Sequence, residues 1–375
     1  MKILHIITKL EIGGAQFNTL YSVEHQNKQK NTSSEIVAGP IVNKDKNLMP
    51  EAKKRKIKVT IIKGITNTIN PIKNTIALIQ TYRYIKKHNF QIVHTHSSVA
   101  GIIGRIAAKL AKTKVIIHTV HGWGIRSDLP KWKLQLYLTL ERACAKFTDK
   151  LIVVSKYNID KGLKYKIGKK SKYTVIYSGI DIKKFSKKIN IQKKKQQLKL
   201  SNNPVIGMIG RLDDQKNPLD FVRVASIVQK KHPNTQFIIV GDGPLKNQTK
   251  SLVKRLNVKN FHLFGFRDDV DEILQIIEIF VLTSLWEGLP RVFLESMAAG
   301  KPIVANNVDG APEAITNNGY ILPPKAPKLM AQKIACLLNN PKAAIQMGKQ
   351  GKQLVKKFSV NKMLKDIDNL YSSFK

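Results

Sequence analysis

The chain of 375 residues carries 65 Lys and Arg against 25 Asp and Glu, a formal charge of +40, and 42% of its residues are hydrophobic. That length exceeds one ordinary compact core and suits two domains, with enough apolar side chains for a core in each. The two cysteines, Cys144 and Cys336, stand at no metal-binding spacing and exclude a disulfide framework, which points to a reducing, cytoplasmic setting. No run reaches the roughly 18 apolar residues that a membrane span needs, so a soluble chain is expected.

The charge is uneven. Residues 1–190 hold 37 basic and 10 acidic side chains, residues 191–375 hold 28 and 15. Three readings stand: compositional bias in a chain rich in Lys, Ile and Asn, attraction to an anionic membrane face or a phosphorylated acceptor, and nucleic acid. A Lys near an anionic lipid surface contributes about 1 kcal/mol. No recognisable nucleic-acid module accompanies the charge, so no nucleic-acid partner is expected.

In chain order, the run Lys2-Ile3-Leu4-His5-Ile6-Ile7 is short for a signal segment and passes into Glu11 and a Gly-Gly turn; it reads as a first strand. Further strands are predicted at 35–39, 58–62, 91–95, 115–119, 151–154 and 173–176, then at 204–209, 236–241, 261–264, 279–282, 302–305 and 319–322. Several are unbroken Val, Ile, Leu and Phe runs, as expected of strands buried on both faces of a parallel sheet. Helical patterns lie between them at 14–28, 72–87, 98–111, 132–147, 217–231, 245–256, 291–299, 326–338 and 341–356. This alternation predicts an α/β protein of two doubly wound parallel-sheet domains. The expected division is residues 1–185, a polar Lys/Gln/Asn linker at 186–203, a second domain at 204–358, and a final basic helix within 359–375 folding back on the first domain.

Within the first half, Gly13 and Gly14 precede a helix, where a phosphate or sugar can rest against backbone amides. The segments His94-Thr95-His96 and His118-Thr119-Val120-His121 each end a strand. His94 and His96 invite a zinc reading, which is set aside on two expectations: that the rings leave opposite faces of the strand, and that no Cys or carboxylate ligand joins them. Trp132, Leu136, Leu140 and Ala143 form an apolar stripe on the basic helix 131–147, facing either a membrane surface or the core.

In the second half, Arg211 and Lys216 follow the strand 204–209, at the carboxyl end where open α/β sheets bind ligands. Arg presents a planar fork to phosphate and Lys a compact charge. Glu287 and Glu295 bracket the stretch that leads into helix 291–299. Helix N-terminal amides suit phosphate oxygens, whereas ionised carboxylates accept hydrogen bonds only and want hydroxyl donors. A ribose on one side and a sugar on the other satisfies both requirements.

The stretch from Glu287 to Glu295 resembles the glutamate–seven–glutamate motif of retaining, nucleotide-sugar-dependent glycosyltransferases of family 4, the group 1 transferases. Gly210-Arg211-Leu212 with Lys216, the Gly13-Gly14-Ala15 loop, His94-Thr95-His96-Ser97-Ser98 and Thr119-Val120-His121-Gly122 resemble segments of the same family, of its bacterial surface-polysaccharide type. The resemblance implies the GT-B architecture, with two such domains facing across a cleft, the acceptor on the N-terminal one and a nucleoside diphosphate sugar, most plausibly a UDP-sugar, on the C-terminal one. It assigns Arg211 and Lys216 to the diphosphate, Glu287 to sugar hydroxyls, Glu295 to the ribose, and Gly13 and Gly14 to a loop facing the donor. Phe266 and Arg267 fall in the segment beside the nucleobase. His121 lies near the transferred sugar, and His94 and His96 lie toward the acceptor unless they are structural.

Many family members have Phe-Gly-Leu inside the glutamate pair. Here Pro290 removes one amide donor, so the phosphate contacts are expected to pass to Arg291 and Val292. The reaction implied is transfer of a sugar, with retention, to a hydroxyl of a growing or lipid-linked cell-surface glycan, without cofactor or divalent metal, at the cytoplasmic face of an anionic membrane. A sugar-nucleotide epimerase of the same architecture and a non-catalytic polyanion-binding protein are the alternatives.

Overall fold

The computed structural model describes residues 1–66, 70–125 and 129–374. The chain divides into two compact units, Met1–Gly179 with Val360–Lys375, and Ile180–Ser359. The first is built on strands β1 (Lys2–Lys9), β2 (Ser33–Gly39), β3 (Val59–Ile61), β4 (Ile92–His96), β5 (Val115–Val120), β6 (Lys150–Val153) and β7 (Tyr173–Val175). They pair in the order β3-β2-β1-β4-β5-β6-β7, and every pairing is parallel. The second holds β8 (Val205–Ile209), β9 (Gln236–Val240), β10 (Phe261–Leu263), β11 (Ile279–Leu282), β12 (Ile303–Asn306) and β13 (Gly319–Leu322). Their order is β10-β9-β8-β11-β12-β13, again parallel throughout.

Both orders reverse direction beside the first strand of their sheet, and the loops that leave the carboxyl ends there diverge and open a crevice. All thirteen predicted strands form, with ends within two residues of the expected positions. The reason is burial: β1 is buried from Ile3 to Thr8, and β4, β5, β8, β9, β11 and β12 along their whole length. Helices cover both faces and leave no room for alternation with polar residues.

The tract 186–203 is a correction to the sequence reading, since it belongs to the second unit and is not a bare linker. Ile182–Ser186 and Ile191–Gln197 are helices, and Phe185 is buried. Lys194 and Lys195 are buried as well, because acidic partners wait for them. Lys194 Nζ meets Asp269 and Glu272, and Lys195 Nζ lies 3.1 Å from Glu278. Polar composition alone did not reveal that these lysines bury their stems and neutralise their heads.

In the first unit the last helix, Val360–Ser372, lays Met363, Ile367, Leu370 and Tyr371 against Ile3, Ile92, Ile117 and Ile152. Helix Lys131–Phe147 buries Tyr137, Leu138, Glu141, Cys144 and Ala145, so the stripe picked from the sequence points the other way: Trp132 is 63% exposed and Leu136 37%. Glu141 is drawn in by a fully buried ion pair, its Oε2 lying 2.8 Å from Arg105 Nη2. Beside this helix lies a cavity of about 230 Å³ lined by Leu78, Val99, Ile102, Ile103, Tyr137 and Leu140 among others. Among the described residues, no helix is long and apolar enough to cross a membrane.

Candidate active site

In the second unit, the loops after β8, β9 and β11 converge. Gly210 N–H donates to Val240 O at 2.9 Å, and Gly241 N–H to Gly265 O at 2.8 Å. Gly241 has φ +140°, and a Cβ there would stand 1.9 Å from Gly210 O. Only glycine permits this approach. Leu212 and Leu245 are then stitched to the same turn through Asp242 O and Leu212 O.

The loop after β8 carries Arg211, Gln215 and Lys216. The loop after β11 carries Glu287. Lys216 Nζ pairs with Glu287 Oε1, and both side chains are largely buried, 14% and 7% exposed. Gln215 holds the two loops together. Its Nε2 donates to Trp286 O at 3.0 Å, its backbone O accepts from Leu285 N–H at 2.8 Å, and its Oε1 accepts from Arg211 Nη2 at 3.0 Å. Arg211 also lies 3.0 Å from Asp213, and its side chain is 60% exposed. From below, Thr283 Oγ1 donates to the carbonyls of Lys216 and Asn217, and Asn306 Nδ2 to those of Thr283 and Ser284. Asp309 caps the Glu287 amide at 2.5 Å. The carboxylate of Glu287 is held by Lys216 Nζ and, at 3.5 Å, by Gln215 Nε2, and its backbone by Asp309, which orients it for hydroxyl donors.

Glu295 sits one turn into helix Arg291–Ala298, and Arg291 Nε donates to its Oε1 at 2.8 Å. Pro290 is the N-cap residue of this helix, in extended conformation, and no side chain caps it. Its carbonyl accepts from Phe293 N–H, leaving the amides of Arg291 and Val292 as the first of the helix. Both residues are half-buried. Each predicted carboxylate is thus paired with a cation predicted to meet phosphate: Glu287 with Lys216, Glu295 with Arg291.

Phe266 is half-buried and outside the core. The Arg267 side chain turns to Asp269: its Nε and Nη2 both reach that carboxylate at 2.7 Å, a bidentate fork. Arg267 and Lys194 hold Asp269 far below the usual carboxylate range, so this arginine braces the fold. The neighbouring Gly265 backbone, at φ +65° with open space around it, is the accessible part of that turn.

In the first unit, Gly13 caps helix Gly14–Asn27 with an extended backbone and no side-chain cap. The histidines correct one sequence expectation. Residues two apart on a strand share a face, so His94 and His96 point the same way, and both are buried, at 1% and 3% exposure. They do not lie on an accessible surface. His5 of β1, which the sequence reading passed over, joins them. His5 Nδ1 is 3.0 Å from His96 Nε2, and His5 Nε2 is 3.0 Å from Gln26 Oε1. His96 Nδ1 is 3.2 Å from His121 Nε2. His94 contacts Tyr371 OH at 2.6 Å and Thr119 Oγ1 at 2.7 Å.

His5, His94 and His96 each offer one ring nitrogen within 4.8 Å of the others. Burial pushes His5 and His121 down to about 4, and His94, His96 and His118 well below their ordinary value. These rings are neutral at physiological pH. His121 stands after β5 and is half-buried, unlike His5, His94, His96 and His118.

His5, Gln26, Gln215 and Asp309 are the residues that sequence reasoning missed. A histidine inside the otherwise aliphatic run Ile3–Ile7 was the available signal for His5. Gln215 and Asp309 carried none beyond standing next to the motifs they brace.

Residues 190–354 match the family described as glycosyl transferases group 1, and residues 44–184 match glycosyltransferase family 4. The chain is 38% identical over 260 residues to the UDP-Gal:alpha-D-GlcNAc-diphosphoundecaprenol alpha-1,3-galactosyltransferase of Escherichia coli, covering 68% of this chain and 67% of that one. It is 28% identical over 313 residues to the N,N'-diacetylbacillosaminyl-diphospho-undecaprenol alpha-1,3-N-acetylgalactosaminyltransferase of Campylobacter jejuni, covering 79% and 81%. Among solved structures, Anabaena Alr3699/HepE in complex with UDP-glucose superposes over all of both chains with a TM-score of 0.85 at 21% identity, a likeness of fold.

Proposed function

The chain belongs to the group 1 glycosyltransferases and has the GT-B architecture, and on that premise we propose that it moves a sugar from a UDP-sugar, with retention, to a hydroxyl of a lipid-diphosphate-linked saccharide. The observation that carries this reading is the pair of clamped carboxylates, Glu287 with Lys216 and Glu295 with Arg291, flanking the start of helix Arg291–Ala298. Such a site offers acceptors for hydroxyls and cations for phosphate within one loop–helix segment.

In this mechanism the bond between the anomeric carbon and the diphosphate oxygen breaks, and the diphosphate leaves with the electron pair. Arg211, Lys216 and the first amides of helix Arg291–Ala298 stabilise the charge that develops on it, the largest electrostatic contribution available. Lys216 has to turn from Glu287 toward the phosphate, which releases Glu287 for the hydroxyls of the transferred sugar. Glu295 takes the ribose and the Gly265 backbone faces the base. The acceptor oxygen attacks the face that the diphosphate leaves, and its proton passes to a diphosphate oxygen. His121 orients the sugar. These cations take the place of a divalent metal.

Two observations support a lipid-linked acceptor. Relatives at 38% and 28% identity carry diphosphoundecaprenol-linked acceptors in their names. The first unit also exposes Trp132 and Leu136 beside Lys131 and Lys133, next to the apolar cavity, an arrangement suited to the interface of an anionic bilayer. We place the enzyme at the cytoplasmic face of the membrane on this basis.

The test is transfer of radiolabelled sugar from a panel of UDP-sugars to polyprenyl-diphosphate-linked saccharide in anionic phospholipid vesicles, in excess EDTA. Persistent transfer is expected. Loss of activity restored by Mn²⁺ overturns the metal-free mechanism, and donor epimerisation without transfer overturns the transferase reading.

A further inference from the structure

The contacts Gln26–His5–His96–His121 form a single file in which each ring touches the next through one nitrogen and the previous one through the other. A neutral imidazole has one N–H and one bare nitrogen, so each contact fixes the following ring. Gln26 presents Oε1, an acceptor, at 3.0 Å from His5 Nε2. His5 Nε2 therefore carries the proton and His5 Nδ1 is bare. His96 Nε2, 3.0 Å away, must then be the donor, which leaves His96 Nδ1 bare. His121 Nε2, at 3.2 Å, must donate in turn.

We infer that Gln26, acting through His5 and His96, is a positioning residue that locks His121 as the Nε2–H tautomer and leaves its Nδ1 as a bare acceptor for a hydroxyl of the transferred sugar. The inference rests on the reading that puts His121 at that sugar, and it adds how the ring is made ready. An imidazolium, or the Nδ1–H tautomer, would present a donor at that nitrogen in place of an acceptor.

The stacking supports a fixed file. The His5 and His96 rings lie 5.3 Å apart at 13°, and His96 and His121 5.5 Å apart at 28°. Burial at 0% for His5 and 3% for His96 keeps both neutral, so no proton enters to scramble the order. His94, though adjacent, does not set the file: its partners are two hydroxyls, Tyr371 and Thr119, and a hydroxyl can serve as donor or acceptor. A metal ion on His5, His94 and His96 would have to break the His5–His96 bond and displace a hydroxyl from His94, so the proton-ordered file is the better account of the same rings. The Gln26 side chain is buried beside Tyr371. Turning the amide over would reverse every tautomer down to His121, which makes this side chain the point of control.

The test uses the full chain labelled with [¹⁵N]histidine, with His121 assigned by His121→Gln and its ring tautomer read from ¹⁵N–¹H correlation spectra at pH 7.5. The expected wild-type spectrum shows a bare Nδ1 and a protonated Nε2. In Gln26→Met, which keeps length and removes the acceptor, both tautomers of His121 should appear, and kcat should fall by about 10-fold or more while the donor KM changes little. A merely structural Gln26 would lower Tm without changing the tautomer.

An Nδ1–H His121 in the wild-type protein, a result that needs no variant, overturns the inference. So does an unchanged single tautomer in a folded Gln26→Met protein. Full activity in His121→Ala would instead overturn the role given to His121 in the reaction and leave the tautomer lock standing.

Discussion

The two units place their chemistry at the same ends of similar parallel sheets and treat charge in opposite ways. In the first, His5, His94, His96 and His118 sit against the strands with almost no water, and desolvation favours their neutral form. In the second, Glu287 pairs with Lys216 and Glu295 with Arg291, each acid meeting an opposite partner. The contrast teaches that residue type alone does not decide the role. A histidine cluster, which reads from sequence as a titrating or metal-binding site, becomes a neutral hydrogen-bonded file once buried. A glutamate beside a lysine becomes a latch that an anion can open, since a phosphate competes for the same cation. Three perturbations separate the two regimes.

The largest effect is expected in the first unit, where one ion pair is fully buried. Glu141→Leu leaves Arg105 uncompensated in the core and should cost about 3–5 kcal/mol of stability by denaturant unfolding. The double variant Arg105→Met with Glu141→Leu should recover most of it. Equal losses in the single and the double variant would mean that the pair contributes only packing.

In the second unit the comparable substitution is Lys194→Met, which removes one cation from Asp269 and Glu272 and leaves Asp269 with Arg267. Because both acids are partly exposed, the loss should be smaller, about 1–2 kcal/mol. Hydrogen exchange should show it within Ile180–Ser359. Loosening confined to residues 186–203 would restore that tract to the status of a linker.

Acid should act on the first unit first. His5 has a folded value of about 4, below its unfolded value of 6.5, so the unfolded chain takes up more protons below 6.5. Stability present above that pH is lost as pH falls toward 4, at about 1.4 kcal/mol per pH unit for this one ring. Asp269 is shifted the same way from a lower start, so it stays ionised throughout that window and gives up its contribution only in stronger acid. Exchange protection measured at pH 7.5 and 5.0 should fall more in peptides of the first unit. An equal fall in both would contradict the assignment of neutral histidines.

Much of this was legible in the sequence. The strands were, because a parallel sheet covered on both faces demands unbroken aliphatic runs, and Leu4, Ile117, Ile206 and Val281 lie in such runs. The clamped glutamates were, because their spacing around Gly288–Leu294 is part of a motif. What failed involved partners distant in the chain. Lys194 and Lys195 looked like solvated charge until Asp269, Glu272 and Glu278 arrived from some 75 to 83 residues away. His94 and His96 were given opposite faces against the period of the strand, and His5 was hidden 89 residues upstream in a core segment. Short helices such as Tyr157–Lys164 and Val270–Ile276 were not predicted at all, since two turns are too few to display a period.

The central claim is that Glu287 and Glu295 serve different parts of one nucleotide sugar, and steady-state kinetics of Glu287→Gln and Glu295→Gln, measured side by side with the same donor and acceptor, test it most directly. Glu287→Gln should lower kcat by about 100-fold or more with little change in donor KM, because it touches the group that carries charge in the transition state. Glu295→Gln should raise the donor KM and leave kcat within a few-fold. Identical, modest effects of the two substitutions on both parameters would contradict the account.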